Sequence, residues 1–185
     1  MFLRTFSLLA ALFLAGCASD SKHYYMLTAD GPAPSGSGQG IGVGPVSLAE
    51  YIDRPNLVIP EDTNQLGVSE SHRWAGDLSS SIARVTATNL GRRLHTGNVR
   101  VYPWQTDSEV RYQVTIDVRQ LHSGSDGYAV IEAGWRAYAL PERRLIASHT
   151  FVDREALSGD GYQALVAAQS TLISRMSADI AGKLK

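Results

Sequence analysis

A single cysteine in 185 residues leaves the chain without an internal disulfide and gives a zinc site no pair of thiolates to draw on. The five histidines, His23, His72, His95, His122 and His149, show no HxH or HxxxH spacing, so metal ligands are not paired locally either. Neither sign of charge is in excess: 17 Lys and Arg stand against 18 Asp and Glu, a formal charge of −1. That balance carries no electrostatic footprint for nucleic acid or for an anionic membrane. No apolar run approaches the roughly 20 residues that span a bilayer. Ser79-Ser80-Ser81 lacks the GxSxG frame of a nucleophile elbow. Gly38, Gly40, Gly42 and Gly44 lead into a strand rather than a helix and lack the Lys-Ser/Thr of a phosphate-cradling loop. No internal repeat is visible. The sequence writes no catalytic, metal or cofactor site.

What is present begins at the N-terminus. Arg4, the apolar stretch 8–14 and the small residues after it have the form of a secretory signal. The stretch ends in Leu14-Ala15-Gly16-Cys17, which matches the bacterial lipobox. In that motif the cysteine is acylated on sulfur, the signal is cut before it, and the new amine is acylated in turn. Each buried acyl methylene contributes about 0.8 kcal/mol, so a multiply acylated chain does not leave its membrane readily. Ala18 stands where an aspartate would resemble an inner-membrane retention signal, which places the expected anchor in the outer membrane, facing the periplasm. The expected division is therefore 1–16 signal peptide, 17–23 lipidated Cys17 with a short tether, and 24–185 one domain. Loss of 1–16 leaves 169 residues and, with Arg4 gone, a formal charge of −2. Extended, the six-residue tether reaches about 20 Å. Stability must come from burial alone.

Along the domain, Tyr24-Tyr25-Met26-Leu27 reads as a short strand, and 31–40 as a flexible glycine-rich loop. Residues 41–46, 56–60 and 66–68 read as extended. From Trp74 to about Leu94 the apolar positions Trp74, Leu78, Ile82, Val85 and Asn89 recur at helical spacing, with Ser71 as N-cap and Gly91 or Gly97 as the stop. A strand at 99–102 follows. Tyr112, Val114, Ile116 and Val118 then alternate with polar residues, the mark of a strand with one wet face. With 129–140 and 145–155, joined by short turns, it forms an antiparallel three-stranded meander. A last helix starts at an Asp160 N-cap and carries Tyr162, Leu165, Gln169, Leu172, Ile173, Met176 and Ile180 on one stripe. The expected fold is α/β: a single domain with a mixed or largely antiparallel sheet and two main helices packed on one face.

Asn89 and Gln169 interrupt the two apolar stripes, and each amide is expected to bond a loop carbonyl or the neighbouring helix. The stretch 48–55 is held between Pro45 and Pro55 and interleaves apolar with charged side chains. Leu48, Tyr51, Ile52 and Arg54 are its candidate partner-binding residues, because Tyr and Arg are enriched at interface anchors. The alternative is a plain connection that caps the sheet edge.

Several stretches are similar to those of one family. Tyr24-Tyr25-Met26-Leu27 resembles its opening Tyr-Tyr-x-Leu. Ile41-Gly42-Val43-Gly44-Pro45-Val46-Ser47-Leu48 through Tyr51-Ile52-Asp53-Arg54-Pro55 resembles its I-x-V-G-P-V-x-L-x-x-Y-[IL]-D-R-P signature. His72-Arg73-Trp74-Ala75 and Tyr102-Pro103-Trp104 resemble its Arg-Trp-Ala and Tyr-Pro-Trp marks. Gly76 replaces an expected acidic residue and Leu121 a common aromatic. The family is the ABC-type transport auxiliary lipoproteins of the PqiC (YmbA) kind. The resemblance implies a non-enzymatic, outer-membrane-anchored component of an MCE-type intermembrane lipid transport system, without a cofactor. Its implied partner is an MCE-domain transport protein of the PqiB kind, received at the membrane, with a ring-shaped homo-oligomer permitted and no nucleic acid. Two other classes compete. A periplasmic lipid-binding chaperone needs a sizeable apolar cavity, and an envelope hydrolase needs a convergent nucleophile and base.

Overall fold

The computed structural model describes residues 21–29, 31–62, 64–105, 109–124 and 126–184; the expectations for the signal 1–16, for Cys17 and for the first half of the tether, 18–20, lie outside them. Ten elements follow in order: β1 (His23–Tyr25), β2 (Gly40–Leu48), β3 (Asn56–Asp62), β4 (Gln65–Trp74), α1 (Leu78–Arg93), β5 (Val99–Val101), β6 (Val110–Ser123), β7 (Tyr128–Ala139), β8 (Arg144–Ala156) and α2 (Tyr162–Lys183). Five strands form one sheet in the order β5-β2-β6-β7-β8, and three form a second in the order β1-β4-β3. β2 runs parallel to both of its neighbours, whereas β6, β7 and β8 form the expected antiparallel meander. A parallel pair cannot be closed by a tight turn, and α1 supplies the crossover from β2 to β5.

The alternation in β6 sends Val114, Ile116 and Val118 to a buried face. The irregularity between Val118 and Gln120 shifts the phase, so Leu121 and Ser123 also turn inward. Ile131, Ala133, Trp135 and Ala137 of β7 line the same layer. Both helices cover it, packed on each other, with α1 against β2 and α2 against β7 and β8. The Trp135 indole N–H donates to Asp179 of α2 at 3.0 Å, and the same carboxylate oxygen lies 2.7 Å from His149 Nδ1. The two main helices on one face and the largely antiparallel mixed sheet are thus present. The small second sheet is an addition that the pattern did not disclose.

Helix boundaries bring two corrections. Ser71 is not an N-cap, because β4 continues through Trp74; Asp77 caps α1, accepting the Ser80 N–H at 2.7 Å. Trp74 is buried as the last strand residue, not as part of the helix stripe. α1 stops at Arg93 with Leu94 at the C-cap, ahead of Gly97 and past Gly91. Asp160 does not cap α2; Gly161 holds that place, at φ 87°, with no side-chain hydrogen bond. Loop 31–40 is irregular yet fastened. Arg92 donates to the carbonyls of Ala29, Gly31 and Pro32, and Gly38 N–H donates to the His95 carbonyl at 3.0 Å.

The buried amides also differ from expectation. Gln169 Nε2 donates to the Leu121 carbonyl of β6 at 3.3 Å, a strand rather than a loop. Among the described residues Asn89 Nδ2 and Gln169 Oε1 have no hydrogen-bond partner.

Two outcomes follow for stability. Ile116→Ala and Leu172→Ala remove side chains that are 2% and 0% exposed, and each should cost about 2–5 kcal/mol in chemical denaturation. Asp77→Ala should cost about 1 kcal/mol, whereas Ser71→Ala should stay within about 0.5 kcal/mol. Hydrogen bonds from Ser80 and Ser79 hold the Asp77 carboxyl below its usual range. Its contribution is therefore complete above the unfolded value of about 3.9 and is lost as pH falls through the depressed one. Melting curves of wild type and Asp77→Ala should converge in strong acid.

Candidate docking surface

Residues 48–55 leave the end of β2 and turn back toward β3. Ala49 N–H donates to the Val118 carbonyl at 2.9 Å, and the Ile52 and Asp53 N–H groups both donate to the Ala49 carbonyl at 3.0 Å. Arg54 N–H reaches the Ile52 carbonyl at 2.8 Å. The backbone is closed on itself, so little ordering remains to be lost on contact.

The four candidate residues separate on this frame. Ile52 is 3% exposed and belongs to the main core; it is corrected from a contact residue to an internal anchor. Leu48 is half-buried opposite Val118. Tyr51 is also half-buried, its ring edge-on to His122 at 6.0 Å and its hydroxyl donating to the Arg119 carbonyl at 3.1 Å. Burial pushes its phenol above the ordinary value, against a hydrogen bond with the Leu121 backbone that lowers it. Arg54 is exposed. With Asp53 and Pro55 it walls a shallow groove of about 220 Å³, closed on the other side by Gly76, Asp77 and Leu78.

A larger concavity, about 420 Å³, lies on the helix-free face of the five-stranded sheet. Its floor is made of small residues in register across four strands: Ser47 opposite Asp117, Asp117 opposite Gly134, and Gly134 opposite Thr150. Arg119 stands at one side, held by Asp117 at 3.4 Å and Glu132 at 3.0 Å. Arg136, Tyr138 and Arg143 also line it, with the Arg143 guanidinium 5.3 Å from the Tyr138 ring centre. The sequence analysis named none of these as site residues. The signal was the polar half of the β6 alternation, Thr115, Asp117 and Arg119, which was read only as a wet face.

Among the described residues no histidine ring bonds a hydroxyl side chain other than Tyr25, whose hydroxyl lies 2.7 Å from His72 Nδ1. Ser79 Oγ and Ser81 Oγ bond Asp77 at the start of α1. No group of three or more His, Cys, Asp or Glu side chains among them is placed to hold a metal ion. No described helix is long and apolar enough to cross a membrane. The apolar cleft formed by Ile59, Pro60, Leu157, Tyr162 and Leu165 measures about 200 Å³, below the roughly 300–1,000 Å³ of ligand pockets.

The motif residues mostly meet one another. Tyr102 N–H donates to the Val43 carbonyl at 2.9 Å, and the Trp104 indole lies so close over Gly42 that a Cβ there would sit 2.6 Å from it. Trp74 N–H donates to the Pro55 carbonyl and Ala75 N–H to the Tyr25 carbonyl. The recognisable stretches thus form two structural joints. A family model for the ABC-type transport auxiliary lipoprotein component matches residues 25–181. The chain belongs to that family. The resemblance read from its motifs is borne out.

Two solved structures share the fold. One, of an uncharacterized protein, is 21% identical with a TM-score of 0.74, covering 89% of this chain and 99% of that one. The other is protein XCC0632 from Xanthomonas campestris, 21% identical with a TM-score of 0.66, covering 86% and 93%. No curated protein matches. The family assignment makes this chain a membrane-associated transport auxiliary lipoprotein.

The candidate turn divides in a testable way. Ile52→Ala should lower stability by about 2–5 kcal/mol, and Arg54→Glu should leave it within about 0.5 kcal/mol. Thermal unfolding of the two variants side by side reads the difference; equal losses would contradict the division between anchor and surface.

Proposed function

We propose that this lipoprotein is a non-enzymatic auxiliary part of an MCE-type intermembrane lipid transport system, anchored through acylated Cys17 to the periplasmic face of the outer membrane. The observation that carries this reading is the family match across 25–181. The anchor fixes the domain within a short reach of the membrane, and the domain's surface receives the end of a tunnel-forming MCE-domain protein. Arg54 and the exposed edge of Tyr51 are the contact groups of that surface, with Leu48 supporting them and Ile52 holding the turn from below. Self-association belongs to the same reading. A closed ring needs two different complementary patches on each subunit, and the turn and the polar concavity are separate surfaces.

A lipid-carrying chaperone is less well supported, because the described apolar clefts are small. A hydrolase has its histidines engaged elsewhere: His149 with Asp179, His72 between aromatic rings.

Two experiments bear on the proposal. Cys17→Ser should move the protein out of the outer-membrane fraction, and wild-type sedimentation of that variant would contradict the anchor. Purification of the acylated protein from envelopes should bring down an MCE-domain protein, and Arg54→Glu should reduce its yield several-fold with an unchanged melting temperature. An undiminished yield would remove Arg54 from the interface.

A further inference from the structure

Of the seven large apolar side chains exposed among the described residues, four belong to the small sheet or its immediate continuation: Tyr24 (62%), Met26 (67%), Leu66 (43%) and Val68 (44%). Chance scatter of surface apolar groups needs no explanation, but the arrangement after the tether is regular. Tyr25 turns inward, where its ring lies 5.6 Å from His72 and 6.2 Å from Tyr162, and Leu27 is 4% exposed in the core. Tyr24 and Met26, each one residue ahead of these, are exposed, and Met26 also borders an open cleft with Val85 and Thr88 of α1. His72 itself stacks between His23, at 5.0 Å, and Tyr162, at 3.8 Å. The inner side of this segment is therefore fully committed to the domain, and the segment cannot roll over to hide Tyr24 and Met26.

The outer side begins with Lys22, which is exposed, and β1 is an edge strand of its sheet. A lysine, a tyrosine and a methionine at alternate positions join one cation to an amphipathic ring and a flexible apolar chain. Tyrosine is enriched at the headgroup level of membranes. A long cationic side chain can keep its charge among headgroups while its stem lies on apolar surface. What decides the occupant is the chain itself. Only six residues, 18–23, separate Tyr24 from Cys17, the proposed acylation site, and a tether of that length reaches about 20 Å at full extension. The outer face of this strand is thus held within reach of one surface above all others.

We infer that the outer side of β1 and its flanks, Tyr24 with Lys22 before the strand and Met26 after it, seats on the lipid surface that carries the Cys17 anchor, so that the domain rests on its membrane in a fixed orientation rather than swinging from the tether. This rests on the proposed acylation of Cys17.

The experiment labels Met26→Cys with a small environment-sensitive fluorophore, in the mature acylated chain, where Cys17 is blocked by its own modification. Val152→Cys, at an exposed position (69%) on β8 of the large sheet, is the control. The lipoproteins are inserted in vesicles of phosphatidylethanolamine and phosphatidylglycerol, with and without lipids bearing a quencher at the headgroup boundary. The seat predicts a blue-shifted emission and several-fold stronger quenching at position 26 than at 152. Equal quenching at the two positions overturns it. Flotation of the vesicles reports separately on the anchor. If the acylated chain fails to float, the same comparison is made with Cys17 replaced and a histidine tag at position 17 holding the chain on nickel-chelating vesicles. The quenching ratio then still decides the seat.

Discussion

The rest of the fold depends on β2 being paired in parallel on both sides. A strand so placed cannot be reached by hairpins, and the chain must leave the sheet and return twice. The first return uses α1, whose Ile82 and Leu90 are fully buried in the core that Ile41 and Val43 of β2 also enter. β3 and β4 of the small sheet are inserted in that excursion, between the end of β2 and the start of α1, and β1 joins them from ahead of β2. On its other side β2 offers glycine at 42, and the space a side chain would take is filled by the Trp104 indole. One strand thus fixes the helix layer on one face and an aromatic clamp on the other.

The same constraint explains how the recognisable residues are used. Gly42, Tyr102 and Trp104 build the clamp; Tyr25, Pro55 and Trp74 join the small sheet to the start of α1. These groups serve the architecture, and the family is identifiable because the architecture is demanding. The residues that the frame leaves outside, above all Arg54, the polar concavity around Gly134 and the outer side of β1, are the ones we propose meet other molecules.

Strands with strict alternation were legible from sequence, and for a physical reason. In β6 and β7 one face is covered by helices and the other is wet, so hydrophobicity itself records the period. The small sheet was hidden because β1 has three residues and pairs with a strand 49 positions later in register, His23 with His72; nothing local marks such a pairing. The α1 start was misplaced because Trp74 and Leu78 are four residues apart, so a buried strand end mimics one more helical turn. Asp77, followed three residues later by the N–H it accepts, was the signal that could have corrected this. The segment 48–55 was legible as a break between two strands, but periodicity could not tell Ile52, which the core needs, from Arg54, which it does not. That distinction requires knowing which way the turn closes.

The central claim is that this domain receives a transport partner at its membrane. A photo-crosslinking amino acid placed at position 54 in the acylated protein, irradiated in intact envelopes, tests it most directly. The account predicts a covalent adduct with an MCE-domain protein from position 54, and none from an equally exposed position such as 159. An adduct of equal yield from both positions, or no MCE-domain adduct from either, would contradict it.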